Sequence, residues 1–440
     1  MKSERLFSRR EVMRICGMSL LASPLNTIAS CGERAPQPFA GPAGALYEGT
    51  DERLLDEIQR ATFNFFWNEA SPKTGQVKDR ALAQGNDSRK MASIAATGFG
   101  LTSLCIGDQR EYGKHPEILE RVRKTLRFLA DDLPNEHGFF YHFIHMDSGQ
   151  RWEKCELSSI DSSLLYCGVL TARQYFADQE IKDLATRIYE RVDWPWMLNG
   201  GKTFSMGWHP ESGFLAARWE HYCELMMIYL LAIGSPTHPV SPDTWSAWTR
   251  PTIKYQGIEY VSGNDPLFTH QYSHAWFDFR NKRDAYADYF ENSIKATKAH
   301  KLFCLSLRDR FPDYSDSLWG ISASDYVKGY TAWGGPPPQG PVDGSVVPCA
   351  TGGSLPFLFG DCIHVLRNIR GRYRNKAWAK YSFVDAFNPL TGWYDADVLG
   401  IDLGITMLMA ENHRSGFVWN TFMKNPEAQS AMQKVGFHSA

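Results

Sequence analysis

Two stretches of the chain, Glu220 to Ile233 and Ile401 to Ala410, have helical spacing and are apolar nearly all the way round. A helix without a polar face has to be enclosed by other elements, so the chain must build at least two layers. Around these stretches lie segments whose apolar residues recur three or four apart. Asp51 to Trp67 opens with an acidic turn and sets Leu54, Leu55, Ile58, Ala61, Phe65 and Phe66 on one broad face. The same reading predicts helices over Ser93 to Ile106, His115 to Leu133, Ser159 to Phe176, Asp178 to Val192, Arg218 to Gly234, Pro242 to Thr249 and Ala285 to Lys301. It continues with Gly353 to Arg370, Gly400 to Asn412, Gly416 to Met423 and Pro426 to Val435. A mostly helical chain with an inner apolar layer and an outer amphipathic one is the pattern of an α/α toroid. No repeat of fixed period occurs, which argues against a stacked solenoid.

The long connections 135–156, 194–217, 257–276 and 313–351 are aromatic, and loops of that length usually carry function. No low-complexity linker divides the chain, so residues 47–440 read as one domain. Ahead of it, Met1 to Arg10 is basic, with Arg9-Arg10 after Ser8, and leads into the weakly apolar Ile15 to Ile28. That layout is expected of an export signal over residues 1–30. Ile28-Ala29-Ser30-Cys31 resembles a bacterial lipobox, which makes Cys31 the expected lipid acceptor. Ser8-Arg9-Arg10-Glu11-Val12-Met13 resembles a twin-arginine motif with Val12 in place of the usual Phe. Residues 31–46, rich in Pro, Gly and Ala, form the expected flexible tether. The expected location is the periplasm or the outer membrane, with membrane attachment through the lipid alone.

A net charge of −2 argues against nucleic acid as a partner. Aromatic residues make up 13 % of the chain, with 14 Trp, more than a core requires. Exposed rings serve as platforms for the flat faces of sugars, which tilts the reading toward carbohydrate. Cys105, Cys155, Cys167, Cys223, Cys304, Cys349 and Cys362 have no metal-like spacing, and several lie in apolar helical runs as small buried thiols.

Carboxylates in apolar company are the strongest chemical signal. Glu224, read as helical, has Met227, Ile228 and Leu231 at i+3, i+4 and i+7. A carboxyl there loses hydration and becomes a candidate general acid, the alternative being a structural Glu bonded to a loop. Asp161 lies on the stripe Leu157, Asp161, Leu164 and Gly168, with Glu156 just ahead; Ser158-Ser159 offers the plainer reading of a helix cap. Asp402, after Gly400, is either a first-turn acid complementing the helix dipole or a catalytic carboxylate. Asp395, Asp397 and Glu411 complete a late acidic group. Glycosidic cleavage needs two carboxylates facing each other across a cavity.

Sugar-binding candidates crowd the loops: Trp208-His209, Arg218-Trp219, Tyr222, the run His270 to His274, Asp325-Tyr326, and Tyr330 with Trp333. His142, His145 and Asp147 could ligate a metal, but their alternation suggests a strand and structural roles. Neither Gly98-Phe99-Gly100 nor Gly352-Gly353-Ser354 has the pattern of a phosphate loop, and no Gly-x-Ser-x-Gly elbow occurs.

Several blocks in order resemble one family: Ser93 to Leu101, Glu156 to Leu165, Trp219 to Glu224 followed by Gly234 to Pro239, Trp319 to Asp325, and Gly353 to Phe357. They look like the glucoamylase-like domain of glycoside hydrolase family 144. The resemblance implies an (α/α)6 toroid, export, and inverting endo-hydrolysis of β-1,2-glucan by a monomer without metal or organic cofactor. By position it implies Glu224 as general acid, Asp402 as base, and Asp161 and Glu156 as acids facing the same cavity. Trp208, His209, Arg218, Trp219, Tyr222, His274, Asp325, Tyr330 and Trp333 are the expected substrate contacts. The chain departs from the family at Asp402-Leu403-Gly404-Ile405, where the usual run is Asp-Gln-Gly-Pro. Exo action and catalytically silent glycan binding are the competing functions.

Overall fold

The computed structural model describes residues 46–263, 266–334, 337 and 341–440. The expected signal, Cys31 and the tether as far as residue 45 lie outside the described residues.

Amphipathic and buried helices alternate along the chain. Helix α1 (Asp51–Asn68) starts at Thr50, whose hydroxyl accepts the N–H of Arg53, and it buries the predicted Leu54, Leu55, Ile58, Phe65 and Phe66. Helix α2 (Ile94–Gln109) is buried over almost its whole length. Helix α3 (His115–Arg127) shows one buried face, α4 (Ser159–Tyr175) is buried nearly throughout, and α5 (Gln179–Glu190) is one-sided again. Helix α6 (Met226–Gly234) is wholly buried. Helices α7 (Tyr289–Ser306) and α8 (Phe359–Asn368) keep polar faces, whereas α9 (Gly400–Ser415) is enclosed as far as Asn412. The inner layer is therefore α2, α4, α6 and α9, as their all-round apolar character requires.

Glycine sets the spacing inside that layer. A Cβ on Gly98 would lie 2.4 Å from the Leu164 carbonyl oxygen, and one on Gly168 would lie 2.1 Å from the carbonyl oxygen of Gly98. Helices α2 and α4 thus touch backbone to backbone. Helix α9 meets α2 at Gly400 against Ala96 and at Gly404 against Phe99, so the two run in the same direction.

Short strands lead straight into the inner helices. Strands β1 (Arg80–Leu82), β2 (Met91–Ser93), β3 (Phe143–His145), β4 (Leu157–Ser158), β5 (Gly207–His209), β6 (Ala323–Tyr326), β7 (Gly329–Ala332) and β8 (Asp397–Leu399) form small antiparallel pairs. These are β1 with β8, β2 with β3, β4 with β5, and β6 with β7. Strand β2 precedes α2, β4 precedes α4 and β8 precedes α9. Their heads are tied together: Ile94 N donates to His142 O at 3.3 Å, His142 N to Glu156 O at 2.9 Å, Ser93 N to Val77 O at 3.1 Å and Gly400 N to Asp79 O at 2.7 Å. Three inner helices therefore open on one end of the molecule.

Three helix predictions need correction. Residues 218–225 are not helical, because their backbone is committed elsewhere: Trp219 N donates to Phe204 O, Tyr222 N to Thr249 O, and Thr249 N to Glu220 O, each at 2.9 Å. Glu224 accordingly lies in the turn ahead of α6, and its apolar neighbours are not those of a helix face. Pro242–Ser246 is a short 3-10 turn, and the helix expected from Gly353 starts only at Phe359. Of the alternating run 142–145, residues Phe143–His145 form a strand and His142 lies just ahead of it.

Candidate active site

At the head of α4, Ser158 caps the helix: its Oγ accepts the N–H of Asp161 at 3.1 Å and its hydroxyl donates to the Asp161 carboxylate. The plainer cap reading of the sequence is therefore what Asp161 does locally. Beyond the cap lies a contact that the sequence did not suggest. His142 stands between the two acids, with Nδ1 at 3.4 Å from Glu156 and Nε2 at 3.5 Å from Asp161, all three residues buried. His145 and Asp147 do not join it. His145 stacks on Trp152, while Asp147 accepts from Ser71 and pairs with Lys90.

The head of α9, which has no side-chain cap, presents an acid at the same position. Asp402 is the third residue of its helix, as Asp161 is of α4. Tyr272 Oη donates to Asp402 Oδ1 at 3.4 Å. The next residue, Ser273, donates its hydroxyl to the backbone oxygen of Glu224 at 2.7 Å and accepts the N–H of Met227. Consecutive residues of one segment thereby join Asp402 to the turn that holds Glu224, itself 3 % exposed.

Around Asp402 lies a group of acids with one central cation. Carboxylate oxygens of Asp325, Asp385 and Asp395 all fall within 4.8 Å of one another. Arg80, presented by β1, donates to Asp325 and, from Nε, to Asp79 at 3.0 Å. Burial pushes the Asp325 carboxyl up to about 6 against the pull of Arg80. Asp395 is pushed up to about 7, by burial first and then by the charge of Asp325. Asp385 is driven well above the usual carboxylate range by burial, then by the charge of Asp402 and a hydrogen bond with it. Asp397 adjoins this group, its N–H donating to Asp395 Oδ1 at 3.1 Å, and its own carboxylate is paired with Arg89, which grips both oxygens at 2.6 and 2.7 Å. Glu411, grouped with these acids in the sequence, belongs elsewhere: it lies three turns down α9, bound by Arg110 at 2.9 and 3.0 Å and by Gln59. Helical rise alone carries it away from the head.

The expected sugar contacts divide into two kinds. Trp208 and His209 are half-buried on β5, with Trp208 opposite Leu157 and His209 within 3.2 Å of Arg151. Trp219 sits against the cap of α4, its indole N–H donating to Ser159 Oγ at 2.8 Å. Asp325 and Tyr330 face each other across β6 and β7, and Trp333 packs edge-on to Tyr326. Three others are placed as structural residues. Arg218 is engaged by Thr203 and the carbonyl oxygen of Leu198. Tyr222 is fully buried, its hydroxyl 3.1 Å from His270 Nδ1. His274 lies among Phe279, Phe290 and Phe357, bonds Ser293 at 3.1 Å, and is pushed down to about 3 by burial.

The sequence reading passed over Arg80 and Asp385, and it took Tyr272 only as part of the sugar-binding run His270 to His274. For Asp385 the signal was present, since Phe383-Val384-Asp385-Ala386-Phe387 is a carboxyl in an apolar run, the criterion applied to Glu224.

Comparison with known proteins bears on this arrangement. Residues 216–426 match a family model described as "Putative glucoamylase". An exo β-1,2-glucooligosaccharide sophorohydrolase acting at the non-reducing end, from Parabacteroides distasonis, is 28 % identical over 435 residues. That match takes in 89 % of this chain and 59 % of the relative, so the chain spans little more than half the relative's length. Among solved structures, the endo-β-1,2-glucanase of Chitinophaga pinensis in complex with sophorotriose and glucose is 28 % identical with a TM-score of 0.83, covering 89 % of this chain and 99 % of that one. The endo-β-1,2-glucanase of Talaromyces funiculosus with sophorose, 14 % identical, shares the fold with a TM-score of 0.60 over 87 % of this chain and 92 % of that one. The fold is the expected (α/α)6 toroid. The sequence blocks, the matching family model and these likenesses agree: the chain is similar to glucoamylase-like proteins of the glycoside hydrolase family 144 type.

Proposed function

We propose that this protein is an exported glycoside hydrolase that cleaves β-1,2-glucan, in endo fashion and with inversion at the anomeric carbon. The observation that carries the reading is the joining of Glu224 and Asp402, both buried, through Ser273 and Tyr272 at the open end of the inner helices. In the proposed reaction Glu224 gives its proton to the glycosidic oxygen as the C–O bond breaks. Asp402 takes a proton from the water that attacks the opposite face, leaving the product hydroxyl in the α configuration. In this reading Glu156 and Asp161, with His142 between them, face the same cavity, as the family resemblance implies. The substrate classes named for the Parabacteroides and Chitinophaga relatives support the choice of linkage. Residues 1–30 act as the export signal, Cys31 as the lipid anchor, and residues 47–440 as a single monomeric hydrolase domain.

The test is incubation of the purified protein with linear and cyclic β-1,2-glucans and with other β-glucans. Early release of a spread of oligosaccharides, with the α-anomer first in proton NMR, is the expected result. Release of disaccharide alone from chain ends would replace endo by exo action, the reading favoured by the name of the Parabacteroides relative. Glu224→Gln and Asp402→Asn should each lose about 10²- to 10⁴-fold in kcat. Equal turnover by Glu224→Gln and wild type would remove Glu224 from the mechanism, and no release from any β-1,2-glucan would overturn the function.

A further inference from the structure

Asp385 takes no part in the proton transfers proposed above, yet it is 3 % exposed in the midst of other acids. Its Oδ2 accepts the N–H of Asp325 at 2.7 Å. Among the described residues, no N–H or hydroxyl reaches its Oδ1. Asp402 stands beside it on the wall of one cavity, near enough for its charge to act on Asp385. Two ionised carboxylates offer only acceptor oxygens, so a hydrogen bond between the two groups requires a proton on one of them. The pair lines a narrow cavity walled by Pro348, Cys349, Leu399 and Thr406.

The surroundings decide which of the two holds that proton. Asp402 lies in the first turn of α9, where the free N–H groups of the helix favour negative charge. It also accepts from the Tyr272 hydroxyl. Asp385 lies in a connecting segment and accepts one backbone N–H. It is faced by Asp402 from α9, Asp325 from β6 and Asp395 from the segment ahead of β8. Arg80, the cation of the group, is already engaged by Asp79 and Asp325. Crowded carboxyls in one buried site cannot all ionise.

We propose that Asp385 is a positioning residue for Asp402: it stays protonated and donates from Oδ1 to the Asp402 carboxylate, fixing that group in one orientation and in its ionised form. The inference rests on Asp402 acting as the base. A base that takes a proton from water must be ionised at the reaction pH, and a hydrogen bond donated to its charged form keeps it so.

Two substitutions test this. Asp385→Asn keeps the shape: its amide oxygen can accept the Asp325 N–H while its NH2 donates to Asp402. Asp385→Leu removes both bonds. On β-1,2-glucan, Asp385→Asn should keep kcat within about fivefold of wild type. Asp385→Leu should lose about 10²-fold in kcat with KM within about threefold, and the acid limb of its pH profile should move up by about one unit. A folded Asp385→Asn as inactive as Asp402→Asn would overturn the proposal, because an ionised Asp385 would then be required. An Asp385→Leu with its acid limb unmoved would overturn it too, reducing Asp385 to packing. Melting temperature and sophorotriose binding report folding for each variant. If Asp385→Leu fails to fold, Asp385→Asn decides by itself, activity with an unmoved acid limb supporting the proposal and inactivity sinking it. Asp402→Asn run alongside separates the two ideas, since full turnover by that variant would remove the base assignment instead.

Discussion

Arg80 Nη1 donates to Asp325 Oδ2, and through this bond strand β1 holds the hairpin β6–β7 against the head of α9. Both side chains are about 12 % exposed, and Arg80 Nε also serves Asp79. Arg80→Met would leave two largely buried carboxylates without their cation, which typically costs about 3–5 kcal/mol. The expected outcome is a lowered urea midpoint, with Arg80→Lys recovering only part, because an ammonium lacks the planar fork that serves both partners. Wild-type stability in Arg80→Met would show the bond to be incidental.

Asp395 gives a pH signature of its own. Its carboxyl titrates at about 7 in the fold, mainly through burial, and near 3.8 when unfolded. Between those values the folded state keeps a proton that the unfolded state has lost, so this residue lowers stability as pH rises through the window. Asp395→Asn removes the effect. Its gain in urea midpoint over wild type should be larger at pH 8 than at pH 4, and a gain equal at both would contradict the burial of that carboxyl.

His274 acts in the opposite sense. It titrates at about 3 in the fold and at 6.5 when unfolded, because burial disfavours the imidazolium. The unfolded chain takes up the proton first on acidification, so the stability held above pH 6.5 is lost as pH falls. His274→Gln should therefore lose less stability than wild type between pH 7 and pH 5. Parallel losses in the two proteins would place the acid sensitivity elsewhere.

Gly168 tests the inner layer. Its Cβ would meet the carbonyl oxygen of Gly98 at 2.1 Å, backbone that cannot swing aside. Gly168→Ala should destabilise by about 1–3 kcal/mol or more, as overpacking does. Because α4 carries Asp161 at its head, turnover should fall together with the melting temperature. An unchanged melting temperature would refute the close approach.

The layering was legible from the sequence because all-round apolarity admits one explanation, and Ile401 to Ala410 lies inside α9 as read. The local setting of Glu224 was not. The run from Trp219 to Leu231 keeps its apolar spacing through a segment whose N–H groups are taken by Phe204 and Thr249, residues distant in sequence. Tertiary hydrogen bonds override helical period there, and no local signal records it. Glu411 failed for the converse reason: nearness in sequence to Asp402 suggested a shared site, and nine residues of helix separate them. The alternation read as a strand holds for Phe143–His145, with His142 one residue ahead of it, while the place of His142 between Glu156 and Asp161 depends on the pairing of β2 with β3.

The common direction of α2 and α9, and the tying of their heads to that of α4, has a consequence for how such a protein can change. Each first turn offers a slot at the mouth where the three helices open, while the frame below is fixed by contacts one to three turns away, at Gly98, Gly168 and Gly404. Exchanging the residue in one slot alters what the mouth can grip without disturbing the wall beneath it. New specificities can accordingly arise one position at a time, with the barrel unchanged.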